Sequence, residues 1–253
     1  MSRPVVCSIG TTESWNAAGL GLDLLALWEC GVRPVSVVAG VSAQDESGIR
    51  ALFPLGPEAI AAQFAALSQA SIAAFRIGAL LDPAGVAAVA AGVARRDAPV
   101  VYDPVLAASA GGSFADAATL AAMRSELLPK TGVLTPNAAE AALLLGTAKI
   151  AARADLAGAA QALRALGAGA VLITGGDLPG SPVDLLADSN GVVEFEEERI
   201  PGEMRGTGCL LAAALAAALA RGVELRAAVR EARAFVRSKL SAAVRLGPYR
   251  VAY

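Results

Sequence analysis

The chain has 253 residues, of which 55% are hydrophobic and 17% charged, and its formal net charge is −2. That composition supplies a sizeable core and argues against disorder, and the near-neutral charge provides no global basic field for nucleic acid. Aromatic residues make up 4% and Lys/Arg runs are missing, which argues against a stacking platform for single strands. No histidine occurs anywhere. Ser-His-Asp and Cys-His catalysis and His-ligated zinc are therefore excluded, and proton transfer falls to Asp, Glu, Cys, Lys or Tyr.

The longest dense apolar run, Cys209 to Ala220, is 12 residues, short of the roughly 18–20 needed to span a bilayer. Met1-Ser2-Arg3-Pro4 leads straight into a strand-like segment with no basic-then-apolar leader. The three cysteines, Cys7, Cys30 and Cys209, form no CxxC pair. A reduced cytoplasmic compartment is the expectation, with no membrane and no nucleic-acid partner.

In chain order the pattern alternates strand and helix, the mark of a mostly parallel sheet covered by helices. Val5–Ile9 reads as a strand, Leu20–Glu29 as a helix stopped by Gly31, and Val35–Ala39 as the next strand. Pro57–Gln69 opens with Pro57 and Glu58, which suit a helix start. Ala74–Ile77 is a strand, Ala84–Arg95 a helix, Val100–Tyr102 a strand and Ala115–Leu128 a helix ended by Pro129. Strand Gly132–Leu134, helix Ala138–Leu145, helix Asp155–Leu166 and strand Ala170–Ile173 follow. Val183–Ala187 and Val192–Glu197 flank an Asn190-Gly191 turn, a hairpin signal. Two long helices, Thr207–Ala220 and Leu225–Arg245, close the chain. No linker or repeat interrupts the alternation, so residues 1–253 read as one domain.

In open α/β sheets ligands bind at the carboxyl ends of the strands, and three segments there carry chemistry. Arg205-Gly206-Thr207-Gly208-Cys209 precedes an apolar helix, so its glycines let amides approach an anion at a helix N-terminus. Such a site suits a transferring phosphoryl group; the alternative is a flexible loop with a core-facing cysteine. Within the first turn, the helix field lowers the pKa of the Cys209 thiol. In Thr135-Pro136-Asn137-Ala138-Ala139-Glu140, Asn137 and Glu140 form a capping-box pair, sufficient in itself, while the same side chains suit Mg²⁺ held through waters. Asp103-Pro104-Val105 is either a turn or the place of a metal or substrate group, and Thr174-Gly175-Gly176 either a tight turn or a backbone contact for nucleotide. GxxxxGK[ST] is missing, and Gly19-Leu20-Gly21 lacks the third glycine of a dinucleotide fingerprint.

The order Asp-Pro-Val, Thr-Pro-Asn-x-x-Glu, Gly-Thr-Gly-Cys resembles the hydroxymethylpyrimidine/phosphomethylpyrimidine kinases of thiamine biosynthesis. The likeness runs from Ser8 to about Pro248 and includes Gly19-Leu20-Gly21-Leu22-Asp23, Ala43-Gln44-Asp45, Arg76-Ile77-Gly78 and Ala170–Gly175. It implies an α/β, three-layer ribokinase-like fold with a mostly parallel central sheet flanked by helices. It also implies γ-phosphoryl transfer from Mg-ATP to a hydroxymethyl oxygen, by a cytoplasmic enzyme that is commonly a homodimer. On this resemblance Gly206, Thr207 and Gly208 form the anion hole, and Cys209 takes the base or positioning role. Asn137 and Glu140 organise Mg²⁺ and phosphate with Asp103 nearby, and Thr174 and Gly175 contact the nucleotide. Asp23 and Gln44 hydrogen-bond the aminopyrimidine, with Gly10 and Gly19 beside it; a carboxylate and an amide suit a ring that offers donors and acceptors.

The chain departs from the family pattern in four places. Thr12–Gly19 replaces a glycine-rich opening and carries Trp15 and Asn16. Ser109 and Thr174 stand where many relatives carry Lys. Arg205 stands where the family has His, and is expected to restore positive charge at the nucleotide phosphates. These departures leave two alternatives: a kinase for another hydroxymethyl heteroaromatic such as pyridoxal or pyridoxine, and a pyrimidine-binding paralogue with weak catalysis.

Overall fold

Side chains that alternate with period two along the strands fall into two buried groups, one on each face of a single sheet. Cys7, Ile9, Phe75, Ile77, Tyr102, Val171 and Ile173 pack on one side; Val6, Ala74, Val101, Ala170 and Leu172 pack on the other. Burial on both faces is why these strands read as continuous apolar runs rather than as alternating ones. The computed structural model describes residues 3–108, 111–147 and 149–253.

The strands are β1 (Val5–Glu13), β2 (Arg33–Asp45), β3 (Gly48–Pro54), β4 (Ile72–Ile77), β5 (Val100–Tyr102), β6 (Val133–Leu134), β7 (Ala170–Thr174), β8 (Val183–Asp188) and β9 (Gly191–Glu196). They form one sheet in the order β3-β2-β1-β4-β5-β6-β7-β8-β9. Pairings from β2 to β7 are parallel, while β3, β8 and β9 join antiparallel. Helices α2 (Pro57–Ala66), α3 (Pro83–Val93), α4 (Ala117–Ala122), α5 (Ala138–Leu145) and α6 (Arg153–Ala165) contribute to the first core. Helices α1 (Gly19–Glu29), α7 (Thr207–Ala220) and α8 (Leu225–Ser241) contribute to the second. The result is the three-layer α/β architecture expected from the pattern. Among the described residues no helix is long and apolar enough to cross a membrane.

Strand order reverses at β1, whose neighbours are β2 and β4. A crevice opens at such a switch point, outside the carboxyl ends of the strands.

Several boundaries differ from the sequence reading. β1 runs on to Glu13 because it pairs with β2 past a register shift at Gly10/Thr11, and β2 runs on to Asp45 because it pairs with β3; their polar ends resemble loop when read singly. β3, which the sequence reading lacks, makes a hairpin with β2 and so holds Gln44 of β2 on an extended strand. The expected helix Ala115–Leu128 begins at an Asp116 cap, whose carboxylate accepts the Thr119 N–H at 2.8 Å. It then widens to a π turn at Met123–Leu127 before Pro129. The last helix stops at Ser241, not Arg245. The chain beyond it forms the hairpin β10 (Val244–Leu246) and β11 (Tyr249–Val251), turned by Gly247-Pro248.

One buried polar cluster ties the core to the crevice. Arg76, at the end of β4, is 1% exposed. Its Nη1 lies 3.1 Å from Asp23 Oδ2 on α1, and its Nη2 donates to Asp103 Oδ2 after β5 at 2.8 Å. Ser8 Oγ donates to Asp23 at 2.7 Å. Gly78 allows this approach, since a Cβ there would lie 2.0 Å from Arg76 Nη1. Burial lifts the Asp23 pKa from its ordinary 3.8 to about 6, against the pull of Arg76. The folded state thus holds the Asp23 proton more tightly than the unfolded chain does, and stability from this group falls as pH rises through that window.

Removing Arg76 leaves two buried carboxylates without their cation. Arg76→Ala is expected to lower the unfolding free energy by ~3–5 kcal/mol at neutral pH and by less at acidic pH, where both carboxyls protonate. Urea denaturation at several pH values checks this; an equal loss at every pH would contradict it.

Candidate active site

α7 begins directly after Gly206, whose φ of 82° lies in the left-handed region. A Cβ at Gly206 would fall 2.3 Å from a Leu22 methyl and 2.4 Å from the Ala17 carbonyl oxygen, so the close approach and the φ both demand glycine. The helix that follows is buried along most of its length, so its N-terminus is held rigidly. Thr207 and Gly208 occupy the first turn and open into a cavity of about 780 Å³, within the range of small-molecule sites. A Cβ added to Gly208 would lie 3.8 Å from the Asp103 carboxylate, placing the first turn against that group.

The cavity follows the carboxyl ends of the strands. At one end are Gln44 of β2, Glu13 of β1 and Gly19 of α1; in the middle are Arg76, Asp103 and the start of α7 with Cys209; at the other end are Asn137, Glu140 and Thr174. Asn137 and Thr174 pair as an isolated parallel bridge continuing β6 and β7. The capping box is formed: Asn137 Oδ1 accepts the Glu140 N–H and Glu140 Oε2 accepts the Asn137 N–H, each at 2.9 Å. Capping and a cavity-facing carboxylate are thus the same arrangement.

Electrostatics divide the site. Burial, with Asp103 adding repulsion, raises the Glu140 pKa from 4.5 to about 8. Burial also raises Asp103, against the pull of Arg76. The expectation for Cys209 is corrected: burial pushes its thiol up to about 12 although it stands in the first turn of α7 near Arg76. Desolvation outweighs the helix field here, and Cys209 is a neutral thiol at physiological pH.

Three expected site residues lie outside the cavity lining. Asp23 is fully buried and committed to Arg76 and Ser8, so it braces the floor and does not face a ring. Gly10 sits within β1 against Gly78 and Ala79, below the crevice. The Gly175 N–H is taken by Asp184 Oδ1 at 3.1 Å. Arg205 lines the cavity, but at the β2 end: its Nη2 donates to Gln44 Oε1 at 2.6 Å and its guanidinium lies 4.5 Å from the Tyr249 ring centroid. Ser109, the other position where relatives carry Lys, lies outside the described residues.

Other residues enter the site unannounced by the sequence. The buried Glu13 carboxylate accepts the N–H groups of Trp15 at 2.8 Å, Ala17 at 2.6 Å and Ala18 at 3.0 Å. It pins the segment that replaces the family's glycines, with Asn16 left-handed at φ 50°. At the far end Arg233 pairs with Asp184 and stands 3.7 Å from Glu197. A glutamate at a strand end and one arginine among several on an amphipathic helix are too common as patterns to have flagged either.

Among the described residues no group of three or more His, Cys, Asp or Glu side chains is arranged to hold a metal. The cavity has two buried carboxylates, Asp103 and Glu140, each raised in pKa and repelling the other. A cation between them would relieve that repulsion. Two carboxylates with water and phosphate oxygens is the donor set of Mg²⁺ at a nucleotide, not of a caged metal, so the residues present fit that ion.

Known proteins resemble this chain over nearly its whole length. A family model described as phosphomethylpyrimidine kinase matches residues 13–252. The chain is 38% identical to the hydroxymethylpyrimidine/phosphomethylpyrimidine kinase of Rhizobium meliloti over 96% of its own length and 92% of the relative's. It is 34% identical to the chloroplastic thiamine biosynthetic bifunctional enzyme of Arabidopsis thaliana, over 94% of this chain and 46% of that protein. Its structure is similar to that of Staphylococcus aureus pyridoxal kinase in complex with AMP-PCP and pyridoxal, with a TM-score of 0.90, 25% identity, and 98% and 92% of the two chains covered. A match over nearly the whole chain, to a family whose motifs converge on one cavity, leads to one conclusion: the chain belongs to the phosphomethylpyrimidine kinase family.

Proposed function

We propose that the chain is a cytoplasmic kinase, working as one domain over residues 1–253. In this reading it transfers the γ-phosphoryl group of ATP to the hydroxymethyl oxygen of 4-amino-5-hydroxymethyl-2-methylpyrimidine, and a second phosphoryl group to the monophosphate, in thiamine biosynthesis. The observation that carries the reading is the position of Gly206–Cys209. This rigid, glycine-opened helix start lies midway along a cavity with an amide-bearing end at Gln44 and a capped, carboxylate-bearing end at Asn137 and Glu140. The homodimer implied by the resemblance is part of the same reading.

The steps follow from the residues. Gln44 and Gly19 receive the acceptor ring, and the Glu13-pinned segment keeps that end shaped and excludes water. The first-turn amides of α7 face the transferring phosphoryl group, where negative charge builds up and little covalent help is needed. Asn137, Thr174 and the backbone around them hold the nucleotide. Glu140 and Asp103 would hold Mg²⁺ through its waters; when bound, it supplies positive charge at the phosphoryl oxygens. Cys209, as a neutral thiol beside Asp103, orients the acceptor hydroxyl, and the Asp103 carboxylate is the group beside it able to accept a proton.

ADP release from Mg-ATP with the hydroxymethylpyrimidine, its monophosphate and pyridoxal supplied separately tests the reading. Turnover is expected with the pyrimidines; turnover with pyridoxal alone would replace this function by that of the structurally similar pyridoxal kinases, and silence with all three would overturn it. For Cys209, Cys209→Ala is expected to lower kcat by about 10²-fold with nucleotide affinity retained, and Cys209→Ser to recover part of it. With the thiol held near 12, the wild-type pH–rate profile has no rise centred near 9. Such a rise, lost in Cys209→Ala, would make the thiolate the base and contradict the positioning role.

A further inference from the structure

Arg205 stands at the junction between the acceptor end of the cavity and the first turn of α7, and nothing in phosphoryl transfer at Gly206–Cys209 accounts for how it is held. Its backbone N–H donates to the Arg250 carbonyl at 3.0 Å, fastening the loop to β11. Tyr249 of the same hairpin covers one face of its guanidinium, and Trp15 meets Tyr249 edge-on with ring centroids 5.6 Å apart and planes at 80°. Its Nη2 is engaged by Gln44, while its Nη1 is buried with no hydrogen-bond partner. No carboxylate of the described residues comes within ion-pair distance of it. A partly buried guanidinium whose Nη1 is shielded from solvent, unpartnered and without a counter-charge is a ready partner for an anion.

The location says which anion. Arg205 is bonded to Gln44 on β2, while Thr174 ends β7, five places along the sheet. At ~4.8 Å per strand the two ends are roughly 24 Å apart, so Arg205 is remote from the nucleotide-holding end. It lies instead where a substituent on the acceptor passes from the ring at Gln44 towards the anion site at Gly206. We infer that Arg205 recognises a phosphate group already carried by the acceptor, so that this kinase prefers a phosphate monoester of its hydroxymethyl heterocycle over the free alcohol. The inference rests on the function proposed above and assigns to Arg205 a specificity role in place of the nucleotide contact expected from the sequence. Guanidinium is the group suited to it, offering a planar pair of donors that matches phosphate oxygens.

Binding, measured by calorimetry without nucleotide, tests this apart from turnover. The ligands are 4-amino-5-hydroxymethyl-2-methylpyrimidine and its monophosphate; the proteins are wild type, Arg205→Ala, Arg205→Gln and Arg205→Lys. The wild type is expected to bind the monophosphate about 10- to 100-fold more tightly than the alcohol, with the preference shrinking as salt is raised. Arg205→Ala and Arg205→Gln should erase that preference and leave ADP affinity unchanged, and Arg205→Lys should keep part of it. Arg205→Gln retains a long polar side chain, so a collapsed loop would not be mistaken for a lost charge. A preference that survives in Arg205→Gln, or a loss that falls on ADP instead of the monophosphate, would overturn the inference and leave the kinase function standing. Binding of neither pyrimidine by the wild type would overturn both.

Discussion

One guanidinium buried between two carboxylates is the constraint on which the rest of this structure depends. Arg76 joins Asp23 of α1 and Asp103 after β5 across the point where strand order reverses. Neither carboxylate would remain ionised at that depth without it. The cluster sits beside the start of α7: Asp103 faces the first turn of α7 through Gly208, and Cys209 lies within the field of all three groups. The same burial that raises Asp23 raises the Cys209 thiol, so the floor that positions the site also decides that its sulfur is neutral.

Above that floor the sheet sorts functions by strand position. Extended β1 and β2 deliver Glu13 and Gln44 to one end, and short β6 and β7 deliver Asn137, Glu140 and Thr174 to the other. The apolar packing of α7 fixes its N-terminus between them. Charge follows the same plan, with the raised carboxylates of Asp103 and Glu140 lining the same cavity as the start of α7. The basic side chains lining the cavity, among the described residues, are all arginines, which suit paired contacts with phosphate and carboxylate rather than point charge.

What could be read in advance follows physical range. α7 was legible residue for residue as Thr207–Ala220, because a glycine junction and an unbroken Ala/Leu run are local signals. The Asn137–Glu140 box was legible for the same reason, being closed within one turn. Asp23 was assigned to the acceptor ring by resemblance alone, and no local pattern shows its pairing with Arg76, which is far away in the chain. The Cys209 pKa was equally out of reach, since the helix field is local and burial is a property of the whole fold. The terminal hairpin was hidden by a helical pattern that runs into it, although Gly247-Pro248 was the available stop. Because that hairpin was missed, so was Tyr249, and with it the true setting of Arg205.

The central claim is that phosphoryl transfer takes place at the start of α7, above Asp103, with nucleotide and acceptor entering from opposite ends of one cavity. A crystal structure with Mg²⁺ and a non-hydrolysable ATP analogue tests this most directly. The account predicts the terminal phosphate against the amides of Gly206–Cys209, the metal beside Glu140 and Asp103, and the nucleoside towards Thr174. Nucleotide phosphates bound at the Gln44 end, or a nucleotide lodged away from α7, would contradict it.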